Sequence, residues 1–370
     1  MWQAQGLYSK YLLDMPLLLT GKESIKELYN YPSEKIAVIH EPFFNDFELF
    51  EMTFRKKELK FFKRSWQGEP DLSGLRETLS EVEEYKPDCF IAIGGGSVID
   101  GTKLCRLFYE MPYYSVNQKL DGSLLRSGFI AVPTTVGSGA EVSSAAIYLE
   151  DGHKEMIVNS ALRPSIVVYD KRYVESAPKK IICSSALDAL GHLLEGYVSN
   201  VENELSDILA EKGVSLLKEE YERYLNDEEF DYTRLQYAGY LGGIVQNHCI
   251  VGAAHGIAHQ LVPYGFMHGE AIALLLPAVI RMNSTDKKIK EAYQNICYVS
   301  GFKGIDELIQ MINDVCDKAG ISDKKETLKK VLIEKEKDEV FMNNIRNDRG
   351  GKGNPLEMND EYLKILFRNL

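Results

Sequence analysis

The stretch Phe90–Lys103 reads FIAIGGGSVIDGTK: a short apolar run, three glycines, a serine, and then residues with helical spacing. An apolar run that enters a glycine turn and leaves as a helix marks a strand-to-helix junction. Without Cβ atoms the turn lets a ligand approach the backbone. The N–H groups that open the helix then face that ligand with the positive end of the helix dipole. A pyrophosphate suits such a place, with Ser97 either capping the helix or bonding a phosphate oxygen, and Asp100 one turn in. The bland reading is a tight turn with no ligand, and glycines alone do not exclude it. The spacing is not G-x-G-x-x-G, and the chain has no Walker A sequence.

A second stretch, Ala131–Val142 (AVPTTVGSGAEV), repeats the pattern of a strand followed by a polar, glycine-rich loop. Two such loops at the carboxyl ends of parallel strands favour a nucleotide site. The runs Ile36–Ile39, Phe90–Ile93, Phe129–Val132 and Ile166–Tyr169 are nearly continuous in apolar character, as in strands covered on both faces of a parallel sheet. Helical spacing lies between them, for example over Leu72–Tyr85. The first part of the chain, 1–177, is therefore predicted to be α/β. After Pro178 helices take over: Ser184–Tyr197, Asn203–Leu225, Thr233–Gly252, His255–Val262, Gly269–Asn283 and Ile305–Ala319, with a charged, solvated face over Lys324–Glu339. A helical second domain is predicted over 178–370.

At 370 residues, two domains are the prior. With 43 basic against 55 acidic side chains, the net charge of −12 argues against a nucleic-acid binder. Six cysteines without framework spacing read as reduced, buried thiols, so the expected compartment is the cytoplasm. The apolar run Leu12–Leu19 is broken by Asp14 and Pro16 and is not read as a signal peptide. Ala271–Ile280, with Pro277 in it, is too short for a membrane span.

Of seven histidines, His255, His259 and His268 fall together in AHGIAHQLVPYGFMHG, and Asp188 lies four residues before His192. One Asp/His pair on a helix is weak evidence for anything. The pair and the histidine cluster together point to a divalent metal.

These motifs, taken together, resemble the iron-containing (group III) alcohol dehydrogenases. GGGSVIDGTK (Gly94–Lys103) is similar to that family's GGGSxxDxAK turn, and PTTVGSGAEVS (Pro133–Ser143) to its proline–threonine loop. KEMIVNSALRPSIVVYD, DALGHLLEGYVS, AHGIAHQL, HGEAIALLLP and NPLEMNDEYLKIL follow in the family's order, so the resemblance covers nearly the whole chain.

The resemblance implies an α/β dinucleotide-binding domain with a parallel sheet, plus an all-α metal-binding domain, in a dehydroquinate synthase-like architecture. It implies hydride transfer between NAD(P) and a small alcohol, aldehyde or ketone. The metal ligands fall on Asp188, His192, His255 and His268, with Fe²⁺ or Zn²⁺ as the ion. His259 takes the proton-transfer or nicotinamide-contact role. Pyrophosphate contacts fall on Gly95, Gly96, Ser97 and Asp100, with Thr134, Thr135 and Ser138 nearby, and Lys154 approaches the ribose. The region His40–Glu41, which closes the first long strand, falls where the adenosine ribose is read; the register puts either Glu41 or His40 there, and the bland reading is that Glu41 only caps the strand end. The Glu41 carboxylate would accept the 2′-OH and repel a 2′-phosphate, so NAD is expected over NADP. A homo-oligomer, a dimer, is the expected assembly, with no nucleic-acid or membrane partner.

There are departures from the family pattern. Ala140 replaces a serine or threonine, Gly101 and Thr102 precede Lys103, and the spacing from His255 to His268 is short. Met342–Pro355 (MNNIRNDRGGKGNP) is atypical and carries Arg346, Arg349 and Lys352. Those three either bind a carboxylate or phosphate of a polyol or sugar-type substrate, or form a solvated basic loop. The alternative function is a dehydroquinate-synthase-like lyase acting on a phosphorylated sugar acid. Such enzymes carry a GGKT-type segment after the PTT loop, whereas this chain reads GSGAEVS there, which favours the dehydrogenase. A non-catalytic nucleotide- or metal-binding protein would need a broken site, and no ligand position is broken.

Overall fold

The computed structural model describes residues 15–114, 125–150 and 153–370. The chain divides into two compact units, Met1–Ser176 and Ala177–Leu370. In the first, a six-stranded parallel sheet has the order β1 (Leu17–Thr20), β8 (Ile166–Tyr169), β5 (Gly128–Pro133), β4 (Cys89–Gly94), β2 (Lys35–His40), β3 (Glu58–Lys63). The apolar runs are continuous because alternate residues serve two cores. Ala37, Ile39, Phe90, Ala92, Phe129 and Ala131 enter one with α2 (Leu72–Tyr85) and α3 (Gly96–Glu110). Ile36, Val38, Ile91, Ile93, Ile130 and Val132 enter the other with Phe50 and Phe54, at and just past the end of α1 (Phe47–Thr53). Each of the larger side chains contributes roughly 1.5–3 kcal/mol on burial, so neither face tolerates a polar alternation.

The strand order also fixes where a ligand goes. From β2 the chain steps outward to β3, then returns to β4 on the other side of β2. The carboxyl ends of β2 and β4 flank this reversal, which is where open parallel sheets bind ligands. Glu41 follows β2, and Gly95–Ser97 follow β4.

Four strands escaped the sequence reading, as did the helices α1, Lys287–Val299 and Asp360–Arg368. Strand β3 (ELKFFK) is an edge strand with mostly solvated side chains, so it shows no apolar run. Strand β1 takes the end of the Leu12–Leu19 run and is the other edge; Leu12–Asp14 lie outside the described residues. An antiparallel hairpin, β6 (Ala145–Glu150) with β7 (His153–Val158), stands apart from the main sheet.

The second unit is helical. Its centre is α5 (Lys179–Tyr197), buried over nearly its whole length from Ile182 and packed by α6 (Glu204–Leu225), α7 (Tyr232–His248) and α9 (His268–Asn283). Asn203 opens α6 with a reciprocal cap from Ser206, and Asp231 caps α7 through the N–H groups of Thr233 and Arg234. The segment expected as one helix over His255–Val262 is instead α8 (Ala253–Ala258) and a 3₁₀ turn, Val262–Tyr264. Pro263 has no N–H to continue the ladder. Helices α10 (Lys287–Val299), α11 (Ile305–Lys318), α12 (Lys325–Lys335), α13 (Glu339–Asn347) and α14 (Asp360–Arg368) complete the unit. The charged run Lys324–Glu339 breaks after α12, and Asp338 caps α13.

Candidate active site

Helix α5 presents Asp188, His192 and Glu195 at helical spacing, all buried. One atom organises the site. Asp188 Oδ1 lies 3.4 Å from His255 Nε2, 3.5 Å from His268 Nε2 and 3.9 Å from His192 Nε2. Gly191 directly precedes His192. A Cβ there would meet Ile272 Cγ2 at 2.8 Å and the His255 ring at 3.2 Å, so the close approach of α9 to α5 needs a glycine and that of α8 favours one. The rings of His192 and His255 stack at 4.6 Å. His268 opens α9, whose first turn is held by Glu270 through Lys180 at 3.1 Å and Lys324 at 2.6 Å.

The electrostatics suit a cation. Burial raises the Asp188 carboxyl, but His192, His268 and His255 outweigh it and hold it well below the usual carboxylate range. Burial opposes charge on His255 too, yet the neighbouring Asp188 and Glu195 carboxylates push it up to about 9. Both Asp188 Oδ1 and His255 Nε2 are buried without a hydrogen-bond partner. Orphaned buried polar atoms are costly, and two converging ones fit an ion between them. Bond lengths of ~2.0–2.1 Å around a tetrahedral ion place neighbouring ligand atoms ~3.4 Å apart, close to the separations here. Among the described residues, Asp188, His255 and His268 form the tight ligand set; His192 meets the same oxygen from slightly farther away. One carboxylate with imidazoles suits Fe²⁺ or Zn²⁺. His268 is 27% exposed against 2% for His255, so the cluster opens towards solvent on the His268 side.

His259 is beside this set and outside it. Its ring stacks on His268 at 5.4 Å, and its Nδ1 lies 3.0 Å from Asp348 Oδ2. Asp348 also accepts the N–H of Gly350 at 2.8 Å. Sequence reading missed Asp348 and Glu195, because nothing local to either residue names a partner. Met342–Pro355 includes the end of α13. Its three basic residues do not act as one cluster: Arg346 is ion-paired with Asp360 and Glu339, while Arg349 and Lys352 are exposed.

In the first unit, the two loops meet. Helix α3 starts at Gly95, which brings no side-chain acceptor to the helix N-terminus. A Cβ on Gly96 would lie 2.8 Å from Ser138, and one on Gly95 would lie 3.2 Å from Thr135. Gly95, Gly96, Ser97, Thr134, Thr135 and Ser138 are partly exposed, while the strands behind them are buried. Glu41 is buried beside Gly94, with Arg64 Nε at 2.9 Å from its carboxylate.

Two expected phosphate contacts are otherwise engaged. The Ser97 hydroxyl donates to the Gly68 carbonyl and accepts from Trp66 Nε1 at 3.1 Å, and it does not cap α3. Its one proton is thus committed. Asp100 points into the protein: it meets Lys103 Nζ at 3.0 Å and accepts the N–H of Ile147, tying α3 to β6. Burial pushes Asp100 up and Lys103 down, each opposed by the other's charge. A carboxylate so placed joins α3 to the hairpin. Lys154, on β7, lies 2.7 Å from Glu69 Oε1, so any ribose contact shares that lysine with Glu69.

Two family models match this chain. The iron-containing alcohol dehydrogenase model matches residues 17–171, and the C-terminal model of the Fe-containing alcohol dehydrogenase family matches 182–370. The chain belongs to the iron-containing alcohol dehydrogenase family. An alcohol dehydrogenase of Thermococcus barophilus is 27% identical over 312 residues, 81% of each chain. An NADPH-dependent butanol dehydrogenase of Clostridium saccharobutylicum is 26% identical over 376 residues, 94% of each. The solved iron-containing alcohol dehydrogenase of Thermococcus thioreducens shares the fold, with a TM-score of 0.84 at 24% identity, over 97% of this chain and 99% of that one. The protein is accordingly an NAD(P)-dependent alcohol dehydrogenase. The lyase alternative finds no support in these matches. No helix among the described residues is long and apolar enough to cross a membrane.

The placement of Asp100 has a consequence for stability. Asp100→Ala leaves the fully buried Lys103 ammonium without its counter-ion, a change that costs about 3–5 kcal/mol. Urea unfolding is expected to show that loss, with the Kd for the nicotinamide cofactor unchanged in the folded variant. Unaltered stability with a weakened Kd would restore the phosphate-contact role.

Proposed function

We propose that this dehydrogenase interconverts a small alcohol and its aldehyde or ketone, with NAD as cofactor and a divalent metal, Fe²⁺ or Zn²⁺, held by Asp188, His192, His255 and His268. The observation that carries the reading is the convergence of three imidazole Nε2 atoms on one buried carboxylate oxygen, Asp188 Oδ1. When bound, the metal supplies a Lewis acid that makes a nearby hydroxyl acidic near neutral pH, and the nicotinamide supplies the hydride acceptor.

The protein's own residues do the rest. Asp188 contributes the negative charge that keeps the cation, and the histidines fill its flanks while His268 stands at the solvent side. Asp348 accepts the Nδ1–H of His259, which leaves His259 Nε2 as a proton acceptor next to the ligand set. His259 then takes the substrate's hydroxyl proton and gives it back in the reductive direction. Gly95 and Gly96, with Thr134, Thr135 and Ser138, cradle the pyrophosphate at the start of α3, where backbone N–H groups and the helix dipole favour an anion.

His255→Ala is expected to lose both metal and activity. His259→Ala is expected to keep the metal and to lose mainly kcat, by ~10²–10⁴-fold, the usual contribution of proton transfer. Elemental analysis of the two purified variants checks this, and equal metal in both would overturn the assignment.

Cofactor choice rests on Glu41. Its carboxylate, oriented by Arg64, sits at the end of β2, where it can accept the ribose 2′-OH. NAD is expected to give the higher kcat/KM. Glu41→Ala frees the Arg64 guanidinium to meet a 2′-phosphate and is expected to shift the preference towards NADP by about tenfold or more. Wild-type efficiency with NADPH equal to that with NADH would refute the reading, as the NADPH-dependent relative makes worth testing.

A further inference from the structure

The Glu195 carboxylate is 1% exposed and has three close partners, none of them a lysine or arginine. Its Oε1 accepts the N–H of Ala254 at 2.7 Å. Its Oε2 accepts the N–H of Gly252 at 2.9 Å and lies 2.6 Å from His255 Nδ1. Both backbone groups are obligate donors, so the carboxylate is an acceptor throughout. At 2.6 Å from an acceptor oxygen, Nδ1 must carry the proton of the imidazole. The neutral ring then has no proton on Nε2, the atom 3.4 Å from Asp188 Oδ1.

We propose that Glu195 is a positioning residue: it locks His255 in the Nδ1–H tautomer and in one ring orientation, so that Nε2 is presented bare to the metal. This rests on the metal reading above and adds to it a residue that touches neither metal nor substrate. The arrangement joins two jobs in one side chain. The N–H groups of Gly252 and Ala254 belong to the turn that starts α8, so the helix bearing His255 and the tautomer of His255 are set by the same two oxygens. Asn354 braces that turn from the other side. Its Oδ1 accepts from Ala253 N–H at 3.3 Å and Asn283 Nδ2 at 2.9 Å.

Glutamine in place of Glu195 keeps the shape and reverses one partner. If its NH₂ occupies the Oε2 position, it faces the Gly252 donor and drives His255 to the Nε2–H tautomer, which cannot ligate. If it occupies the Oε1 position, it faces the Ala254 donor, and the start of α8 moves. Either outcome weakens the metal site, and partners of this kind typically contribute ~10–100-fold in affinity.

The test is titration of metal-free wild type, Glu195→Gln and His255→Ala with Zn²⁺ against a chelating dye, with circular dichroism confirming the fold. Glu195→Gln is expected to bind Zn²⁺ about 10–100-fold more weakly than wild type, and His255→Ala to lose the site. A folded Glu195→Gln protein that binds Zn²⁺ as wild type does, while His255→Ala does not, overturns the proposal and leaves the metal reading intact. Undiminished binding by His255→Ala refutes the metal reading itself. Where Glu195→Gln fails to fold, ¹⁵N–¹H spectra of the Zn²⁺-loaded wild type decide, with the His255 ring assigned by its absence from His255→Ala. A proton on Nδ1 is expected; a proton on Nε2 overturns the proposal.

Discussion

A carboxylate 5% exposed, in the middle of the central helix of a helical domain, is an expensive thing to bury. Asp188 is tolerated because three imidazoles surround its Oδ1, and the second unit is arranged around keeping them there. Helix α5 supplies the oxygen and His192, α8 supplies His255, and the first residue of α9 supplies His268. The two helices packed on α5 are restrained. Glycine at position 191 lets α9 and α8 approach, Glu195 sets the start of α8, and Glu270 ties the start of α9 to Lys180 and Lys324. The donors that converge are those a hard or borderline divalent cation prefers, and the exposure of His268 leaves one side open for chemistry.

The first unit solves a different problem with different means. In the proposed cofactor site, the described residues bury no unpaired cation beside the loops after β4 and β5. The fully buried lysine near the loop, Lys103, is neutralised by Asp100 and serves packing. Under the proposed reading, a pyrophosphate would meet backbone N–H at the α3 N-terminus and hydroxyls from the neighbouring loop. Those are fixed dipoles that need no counter-ion when the cofactor leaves. Ser97 marks the boundary between the two uses, since its hydroxyl is spent on Gly68 and Trp66 to fasten the loop.

Much of the fold was legible because burial imposes patterns on neighbouring residues. Strands β2, β4, β5 and β8 are covered on both faces and read as apolar runs, whereas edge strand β3 is mostly solvated and does not; β1 lies at the end of a run that Asp14 and Pro16 interrupt. The break after α8 could have been read from Pro263, whose missing N–H ends the ladder. The basic residues of Met342–Pro355 were seen as one group by their nearness in sequence. The side chain of Arg346 instead reaches Asp360 and Glu339, outside that segment.

By itself, the sequence determined the order of elements, the alternation that makes a two-sided parallel sheet, and the residue types able to ligate a metal or admit a pyrophosphate. Helical periodicity was enough to put Asp188 and His192 on one face, because residues four apart on a helix are neighbours whatever else the chain does. The tertiary structure decided which polar side chain meets which. Glu195 reaches His255 across 60 residues, and Asp348 reaches His259 across 89. Asp100 and Ser97 carried the same motif signal as the glycines beside them, yet they turn inward to partners on β6 and in the Trp66–Gly68 segment. Local periodicity encodes only near neighbours, whereas a hydrogen bond needs its two atoms about 3 Å apart, and packing of distant segments alone sets that distance.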